Sequence, residues 1–436
     1  MICGGIRERT AGRWNRRFAV PFWFLVWLVA MIPATHDSHA QGATPHVRTG
    51  ADVLVARGFD VLKGRRVGLI TNHTGLVGGE HLADLMHKAS GVTLAAILAP
   101  EHGFRGTVEA GAKVADGRDP KTQVPVLSLY GATRKPSRDM LKGLDILVFD
   151  IQDIGVRYYT YISTMGLAMQ AAAEAGLPFL VLDRPNPLDG DYVAGFMMEK
   201  GLTSFVGQFQ IPQVHGLTIA ELARMIKEAG LLSGLERLDL RIMAMEGWQR
   251  SMRWPETGRA WVKTSPNIPS FETALVYAGI GLIEGVAANE GRGTQAPFLM
   301  VGAPWVDGKR MAARLNAAKL PGVTFQAAEY VPQSLPGISN QPRFEGKTVR
   351  GVRLSVTDHK AYLPAETGLH VLFSLGEEAR AAGQTYVDNG SMLDKLAGNK
   401  RMRQAFERGT PPADIIAAWK GEAEAFRKQR QKYLIY

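Results

Sequence analysis

The sequence predicts an α/β fold, in which a parallel sheet covered by helices is followed by a smaller α+β domain. Apolar runs of strand length alternate with helical patterns from about residue 50. Near-continuous apolar runs are typical of parallel strands that are buried on both faces. The alternation stops at a stretch rich in Trp, Pro and Gly over residues 245–270, which indicates a domain boundary or a long functional loop.

Four apolar runs in the first half predict strands, and each run ends in polar residues. They read RVGLITN, TLAAILAPEHG, LDILVFDIQDIG and PFLVLDRPNPLDG. Between the last two lies STMGLAMQAAAEAG, an amphipathic helix that we expect Gly176 to end. Another helix begins near Thr218, in VHGLTIAELARMIKEAG. We assign these elements to a domain over residues 50–248.

The second half predicts a smaller domain over residues 249–436. Its patterns are a helix in SFETALVYAGIGLIEG, a loop in ANEGRGTQAPF, a strand in FLMVGAPW, a helix in KRMAARLNAAKL, a strand in VRGVRLSVTD and further helices. The glycines of GIGLIEG match part of a dinucleotide-binding fingerprint. They lie in a helical pattern and follow no strand, so we interpret them as packing residues.

The first 40 residues predict a signal peptide. Five arginines precede the apolar run FAVPFWFLVWLVAMIPA, and the small residues of SHA end just before Gln41. The alternative is an uncleaved membrane anchor. The single cysteine, Cys3, lies in this leader, so a chain that starts near Gln41 needs no disulfide. We therefore expect an exported protein of the periplasm or cell envelope.

Composition and motifs exclude several classes of function. The formal net charge of +10 is dispersed, and no basic and aromatic module indicates a nucleic-acid partner. The sequence has no G-x-S-x-G elbow, no H-E-x-x-H and no phosphate-binding loop. His73, His102 and His215 lack the spacing of metal ligands. We predict neither a cofactor nor a bound metal.

The polar ends of the predicted strands indicate a functional site. Ligands of open parallel sheets bind beyond the carboxyl ends of the strands, which lie at one edge. Any one of these residues could be an ordinary turn former, but four such strand ends together favour a site. The residues concerned are Asn72, Glu101, Asp150, Gln152, Asp153, Asp183, Arg184 and Asn186.

Two carboxylates at neighbouring strand ends suit the cleavage of a glycosidic bond. Glu101 follows Pro100 at the end of an apolar run, where partial burial raises a carboxyl pKa toward that of a general acid. Arg105 opposes this effect unless it faces a substrate. Asp153 lies at the next strand end, within the separation that glycosidases use.

Aromatic and basic residues indicate an anionic sugar as the ligand. Tyr158, Tyr159 and Tyr161 either stack on a sugar or pack in the core. Arg105 and Arg157, with Arg292, are more guanidinium groups than a neutral sugar requires, and guanidinium binds carboxylate through two parallel bonds. Asn267 in TSPNIPS, and Glu290 and Arg292 in NEGRGTQAPF, are placed to close the cleft from the second domain.

Seven motifs resemble those of a known family, the exo-lytic β-N-acetylmuramidases of the NamZ type. They occur in the family's order over about residues 50–436 and read GLITNHTG, PEHGFRG, FDIQDIGVRYYTY, LDRPNPL, VHGLTIAELA, TSPNIPS and NEGRGTQAPF. The resemblance implies a Rossmann-like N-terminal domain, a smaller C-terminal domain and an active site in the cleft between them. It also implies release of N-acetylmuramic acid from the non-reducing end of peptidoglycan fragments.

The resemblance makes Glu101 the leading catalytic candidate and places His102 and the segment with Asp153 in the family's cleft. Our hypothesis is that Glu101 protonates the glycosidic oxygen while Asp153 or Glu290 acts as base or nucleophile. Retaining, inverting and substrate-assisted chemistry all stay open. The alternatives are a non-catalytic muropeptide-binding protein and a cell-wall esterase or amidase. The predicted substrate-binding residues are Asn72, Arg105, Gln152, Arg157, Tyr158, Tyr161, Asn267, Glu290 and Arg292.

Overall fold

The computed structural model describes residues 47–106 and 112–436, and the predicted signal peptide lies outside these ranges. These described residues belong to one compact unit. Within the described ranges, no helix combines the length and the apolar character needed to cross a membrane. The 3₁₀ helices span Asp60–Leu62, Trp254–Thr257, Gly281–Gly285 and Gln431–Tyr433.

Half of the strands in the described residues belong to one sheet in the N-terminal half. In chain order they are β1 (Arg66–Thr71), β2 (Leu76–Val77), β3 (Glu80–His81), β4 (Thr93–Ala99), β5 (Gly117–Arg118), β6 (Pro125–Ser128), β7 (Ile146–Asp150), β8 (Phe179–Leu182), β9 (Ala194–Met197), β10 (Pro212–Val214), β11 (Leu240–Met243), β12 (Met300–Ala303), β13 (Val323–Tyr330) and β14 (Val349–Val356). The main sheet has seven strands in the order β11-β8-β7-β1-β4-β6-β5, and every pair is parallel except β5 with β6.

This strand order is that of a doubly wound, Rossmann-like sheet, which confirms the predicted fold class. From β1 the chain adds β4 and β6 on one side, and then returns to add β7, β8 and β11 on the other. The order therefore reverses between β1 and β7, and ligands of such sheets bind at the carboxyl ends near this point. Residues Asn72 and Asp150 lie at those two ends.

Helices cover the sheet and build most of the C-terminal half. They are α1 (Gly50–Ala56), α2 (Leu82–Lys88), α3 (Arg138–Leu141), α4 (Tyr161–Ala175), α5 (Ile219–Glu228), α6 (Phe271–Ile280), α7 (Gly308–Ala317), α8 (Pro364–Ala381), α9 (Gly390–Ala397), α10 (Arg401–Glu407) and α11 (Pro412–Arg430). Helix α4 ends at Gly176 with a φ of 68°, as its sequence predicts. Thr218 caps α5 through a capping box with Glu221.

The C-terminal half combines helices with a three-stranded antiparallel sheet, in the order β12-β14-β13, which confirms the predicted α+β character. The GIGLIEG glycines have the packing role that the sequence indicated. Gly279 of α6 faces the backbone of Pro364 and Gly368 in α8, and Gly281 lies against the ring of Tyr158. A side chain at either glycine would collide with these neighbours. The close approach of α6 to α8, and of Gly281 to Tyr158, therefore requires glycine at both positions.

Candidate active site

A cavity opens at the carboxyl end of β4 and reaches the segments around α6. It encloses about 590 Å³, counting the part that is open to solvent. Both halves of the chain supply its walls, so the cavity lies in the cleft that the resemblance implies. The lining residues are Glu101, His102, Tyr158, Tyr159, Thr160, Tyr161, Val206, Ser265, Asn267, Ile268, Tyr277, Glu284, Arg292 and Phe298.

Glu101 reaches the cavity because β4 ends two residues before it. The residue is only 9% exposed, and the hydroxyl of Thr160 donates a hydrogen bond to its Oε2 over 2.6 Å. Tyr130 is also a neighbour of this carboxylate. Burial, followed by the charge of Glu101, raises the pKa of the Tyr130 phenol to about 12, while the charge of Arg134 opposes that rise. Glu101 is thus a partly shielded carboxylate with a hydroxyl on one side and a phenol nearby.

The turn after Glu101 has an unusual backbone that is specific to this motif. His102 has a φ of 69°, Gly103 a φ of 74° and Gly106 a φ of 68°. A left-handed conformation costs a non-glycine residue roughly 1 kcal/mol, and such strain is common at functional sites. Gly106 lies against the ring of His73, so a larger residue would not fit there. The result is that the buried imidazole of His102 lines the cavity beside Glu101.

Three tyrosines that follow β7 line the wall of the cavity and join its two sides. The Tyr158 hydroxyl lies 3.0 Å from the carbonyl oxygens of both Tyr277 and Ala278. The Tyr159 hydroxyl donates to Oγ1 of Thr264, and the Tyr161 hydroxyl donates to its carbonyl oxygen. These hydroxyls serve the architecture, which leaves the rings to contact a ligand.

Glu284 is a second carboxylate of the cavity, and the sequence analysis did not find it. Nη2 of Arg292 lies 3.2 Å from Glu284, and Nη1 of the same guanidinium lies 3.1 Å from Glu290. Burial raises the pKa of Glu284, Arg292 opposes this rise, and the charges of Glu290 and Glu101 add to it. The sequence signal for Glu284 is a single acidic residue within the apolar run GIGLIEG, whose glycines indicate packing.

Two predicted contacts, Asn267 and Glu290, lie at the edge of this cavity. Asn267 lines it and donates from Nδ2 to the carbonyl oxygen of Ile338 over 2.8 Å. Glu290 faces an adjacent cavity of about 620 Å³, again counting its open part, and this second cavity shares Asn267 and Arg292 with the first. Arg343 lies on its far wall. The two cavities therefore adjoin each other at these two residues.

Arg157 does not fit the predicted role of binding a carboxylate. Its side chain is fully buried, and the guanidinium donates to the carbonyl oxygens of Phe196, Ile211 and Leu396 over 2.8–3.0 Å. Burial lowers its pKa to about 10. Arg157 therefore ties distant parts of the backbone together and is absent from the cavity lining.

Arg105 does not fit that role either. Its guanidinium lies over the ring of Phe104 and donates to Asp119 over 2.6 Å. It lines a different depression, which it shares with Lys121 and Asp84. The charge of Arg105 is therefore matched by carboxylates outside the cavity that contains Glu101.

Asn72 and Gln152 shape the turns that follow their strands. Oδ1 of Asn72 accepts hydrogen bonds from the backbone N–H and the hydroxyl of Thr74. Nε2 of Gln152 donates to the carbonyl oxygens of Asp153 and Pro185. Both amides are buried, and neither lines the cavity, so the structure gives them positioning roles in place of the predicted substrate contacts.

Asp153 is buried behind the cavity surface. Its Oδ2 accepts the N–H of Gly155 over 2.7 Å, while its Oδ1 is buried without a hydrogen-bond partner. Burial raises the pKa of this carboxyl to about 7, against two opposing backbone hydrogen bonds. Asp153 and Glu101 both act on the phenol of Tyr159, so the two carboxyls lie near one ring. Asp153 is absent from the cavity lining, although Glu101 belongs to it.

Comparison with known proteins connects this site to a family. A model described as the N-terminal part of exo-β-N-acetylmuramidase NamZ matches residues 67–272, and the corresponding C-terminal model matches residues 275–436. The chain is 42% identical over 405 residues to the peptidoglycan β-N-acetylmuramidase NamZ of Bacillus subtilis, covering 92% of this chain and 95% of that protein.

Two crystal structures of proteins from Bacteroides fragilis, both described as members of the DUF1343 family, have the same fold. One has a TM-score of 0.82 and 37% identity, and it covers 90% of this chain and 99% of its own. The other has a TM-score of 0.73 and 33% identity, and it covers 89% of this chain and 99% of its own.

Proposed function

Since the chain belongs to the exo-β-N-acetylmuramidase NamZ family, we propose that it hydrolyses N-acetylmuramic acid from peptidoglycan fragments with Glu101 as the general acid. One observation carries the proposal: Glu101 and Glu284 line a single tyrosine-walled cavity. Paired carboxylates are the groups that most glycoside hydrolases use. The substrate is a sugar that ends in N-acetylmuramic acid, and the activity is that of a glycosidase.

Glu101 protonates the glycosidic oxygen as the bond from this oxygen to C1 of the muramic acid breaks. Water then adds to C1 and passes a proton to a carboxylate of the site, so that one bond is cleaved, one water is consumed and the proton donated by Glu101 is replaced. The Thr160 hydroxyl holds Glu101 through Oε2. His102 lies beside Glu101 and hydrogen-bonds either the sugar or this carboxyl.

Glu284 is the second carboxylate in this proposal, in place of Asp153 or Glu290. It lines the same cavity as Glu101, whereas Asp153 is buried behind the cavity and Glu290 faces the adjacent one. A carboxylate in this position stabilises positive charge at C1 and either activates water or attacks C1. Arg292 holds its orientation.

The test is a set of isosteric variants assayed on a disaccharide of N-acetylmuramic acid and N-acetylglucosamine. We expect Glu101→Gln and Glu284→Gln each to lower kcat by about 10²- to 10⁴-fold, the usual contribution of a positioned acid or base. Glu101→Gln should still bind the disaccharide. Mass spectrometry should identify free N-acetylmuramic acid as the product of the unmodified protein.

Glu290→Gln is the matched control, because Glu290 also pairs with Arg292 but faces the adjacent cavity. It should keep kcat within about tenfold of the unmodified protein. Turnover by Glu101→Gln at the unmodified rate would contradict its assignment as the acid. Nuclear magnetic resonance of the first anomer released distinguishes inversion from retention.

Export to the cell envelope is part of the same proposal. The basic, apolar and small-residue regions of residues 1–40 support it, and so does the envelope location of peptidoglycan. The measurement is the mass of the protein recovered from the periplasm of a host cell. A chain that starts at Gln41 is expected, and retention of residues 1–40 would contradict cleavage.

A further inference from the structure

Arg134 carries a charge near the cavity for which neither the fold nor the proposed chemistry accounts. It lies in the loop between β6 and α3 and is exposed to solvent. Among the residues that the structure describes, no carboxylate forms an ion pair with it. Arginines without a carboxylate partner are common on surfaces, so the position of this one is what matters.

Two aromatic rings lie against the Arg134 guanidinium. Its Cζ lies 4.2 Å from the ring centre of Phe205 and 5.2 Å from that of Tyr130. The two rings are themselves 5.8 Å apart. Val206, which follows Phe205 in the chain, lines the cavity, and Tyr130 is a neighbour of Glu101. The guanidinium is therefore close to the phenol that neighbours Glu101, and it is exposed to solvent.

The local backbone also fixes the Arg134 loop. Oγ1 of Thr133 donates to the carbonyl oxygen of Lys135 and accepts its N–H, and Gly131 packs against the carbonyl oxygen of Val114. Lys135, the next cation along the chain, has its ammonium paired with Glu174, at 2.6 Å. Two adjacent cations thus differ in role: one is neutralised on the surface, and the other is stacked beside the cavity.

The remaining arginines that the sequence indicated are occupied. Arg157 is bound to three carbonyl oxygens, Arg105 to Asp119, and Arg292 to two glutamates. An anionic substrate that approached Arg292 would also meet Glu284 and Glu290, which outweigh its single charge. Arg134 forms no ion pair with a carboxylate among the described residues, and Tyr130 neighbours both Arg134 and Glu101.

We propose that Arg134 binds the carboxylate of the lactyl group of N-acetylmuramic acid and thereby selects this sugar over N-acetylglucosamine. The inference rests on the proposed function and adds the residue that recognises the lactyl carboxylate, the group that N-acetylglucosamine lacks. A guanidinium has two parallel N–H donors, the geometry that a carboxylate accepts, and here two rings restrict its motion. The stacking also reduces the conformational entropy that is lost on binding.

The first experiment changes the ligand. Calorimetry measures the binding of N-acetylmuramic acid, its lactyl methyl ester and N-acetylglucosamine to the unmodified protein. We expect the free acid to bind about 10- to 100-fold more tightly than the ester, the range that a charge-assisted hydrogen bond supplies. Equal affinity for acid and ester would overturn the proposal.

The second experiment changes the protein. Arg134→Met keeps an apolar stem for stacking but removes the charge, so the preference for acid over ester should disappear. Arg134→Lys keeps the charge but loses the paired donors, and it should retain part of the preference. Lys135→Met is the matched control, because it removes one positive charge from the adjacent position, and it should keep the full preference. Arg134 is exposed, so circular dichroism should report an unchanged fold for its variants.

An unchanged acid preference in Arg134→Met would overturn the proposal, as would an equal loss in Lys135→Met. Hydrolysis of the disaccharide by the unmodified protein separates this inference from the proposed function. If the protein releases N-acetylmuramic acid but Arg134→Met still prefers the acid, only the role of Arg134 is wrong. If the protein releases no sugar, the proposed function itself is wrong.

Discussion

Burial decides what a charged side chain does in this protein. Arg157 and Arg134 have the same functional group, yet one is enclosed by backbone carbonyls and the other is exposed to solvent beside two aromatic rings. A buried guanidinium must satisfy its donors within the protein, because desolvating an unpaired charge is costly. An exposed guanidinium stays hydrated until a ligand replaces the water. The same reasoning applies to the carboxyl of Asp153, which burial keeps protonated to a higher pH.

Asp153→Asn should change how stability depends on pH. The pKa of Asp153 is raised from 3.8 to about 7 in the folded protein, so the folded protein keeps a proton that the unfolded chain has lost. The contribution of this group to stability therefore falls as pH rises from about 4 to about 7. Relative to the unmodified protein, Asp153→Asn should be more stable at pH 8 than at pH 5, by about 1–3 kcal/mol. Urea unfolding at the two pH values measures this.

Asp239→Asn is the control for this pH effect. Its carboxylate pairs with Arg241 at the surface, and this hydrogen bond lowers its pKa. Asp239 is therefore ionised at both pH 5 and pH 8 in either state, and its replacement should cost the same at both. If Asp153→Asn also had equal effects at the two pH values, the buried carboxyl would not titrate in this range.

At the scale of elements, the N-terminal cap of helix α5 is both a local sequence signal and a tertiary contact. The capping box of Thr218 and Glu221 is a common device that satisfies the first N–H groups of a helix. Here the Thr218 hydroxyl also donates to Oδ2 of Asp183 over 2.8 Å, and Asp183 accepts the N–H of Ala220 as well. The cap therefore joins α5 to the carboxyl end of β8.

Thr218→Ala should lower the free energy of unfolding by about 2 kcal/mol. The substitution removes a helix cap, which contributes about 1 kcal/mol, and leaves buried Asp183 without one donor. Urea unfolding followed by circular dichroism measures the change. Ser137→Ala is the comparison, since Ser137 caps the short helix α3 at an exposed position. Its expected cost is about 0.5 kcal/mol, and an equal cost for both variants would show that the bond to Asp183 contributes nothing.

At the scale of the whole molecule, the two halves share one interior. A continuous apolar cluster includes Phe149 in β7 of the main sheet, Leu275 in α6 and Trp419 in α11. The C-terminal residues also return to the first domain: the Tyr436 hydroxyl donates to Asp183 over 2.8 Å and accepts the N–H of Met245 over 2.7 Å. The cavity has walls from both halves, so its shape depends on this shared packing.

Tyr436→Phe should destabilise the whole chain and not one half alone. Loss of the hydroxyl removes one donor from the buried Asp183 carboxyl and leaves the N–H of Met245 without its acceptor, which should cost about 1–2 kcal/mol. Differential scanning calorimetry of the unmodified protein and the variant should show a single transition that moves to lower temperature. Lys428→Ala, an exposed change in α11, should leave it in place. Two separate transitions would contradict a shared interior.

The sequence by itself determined the features that depend on neighbours along the chain. Apolar runs predicted β1, β4, β7 and β8, and the parallel sheet then followed from the helices between them. Gly176 and Thr218 marked helix ends because capping is a local interaction. Seven ordered motifs indicated the family. Glu101 reached the cavity as predicted, since the end of a parallel strand has a known place in this fold.

Only the tertiary structure decided which charged groups face the cavity. The guanidinium of Arg157 donates to the carbonyl oxygen of Leu396, which lies 239 positions later in the chain. Two glutamates form ion pairs with Arg292. Arg134 is exposed beside an aromatic ring, and its own stretch of sequence holds no distinctive motif. Glu284 was hidden in an apolar helical pattern. Burial and pairing depend on residues that are distant in sequence and adjacent in space, so no local pattern contains them.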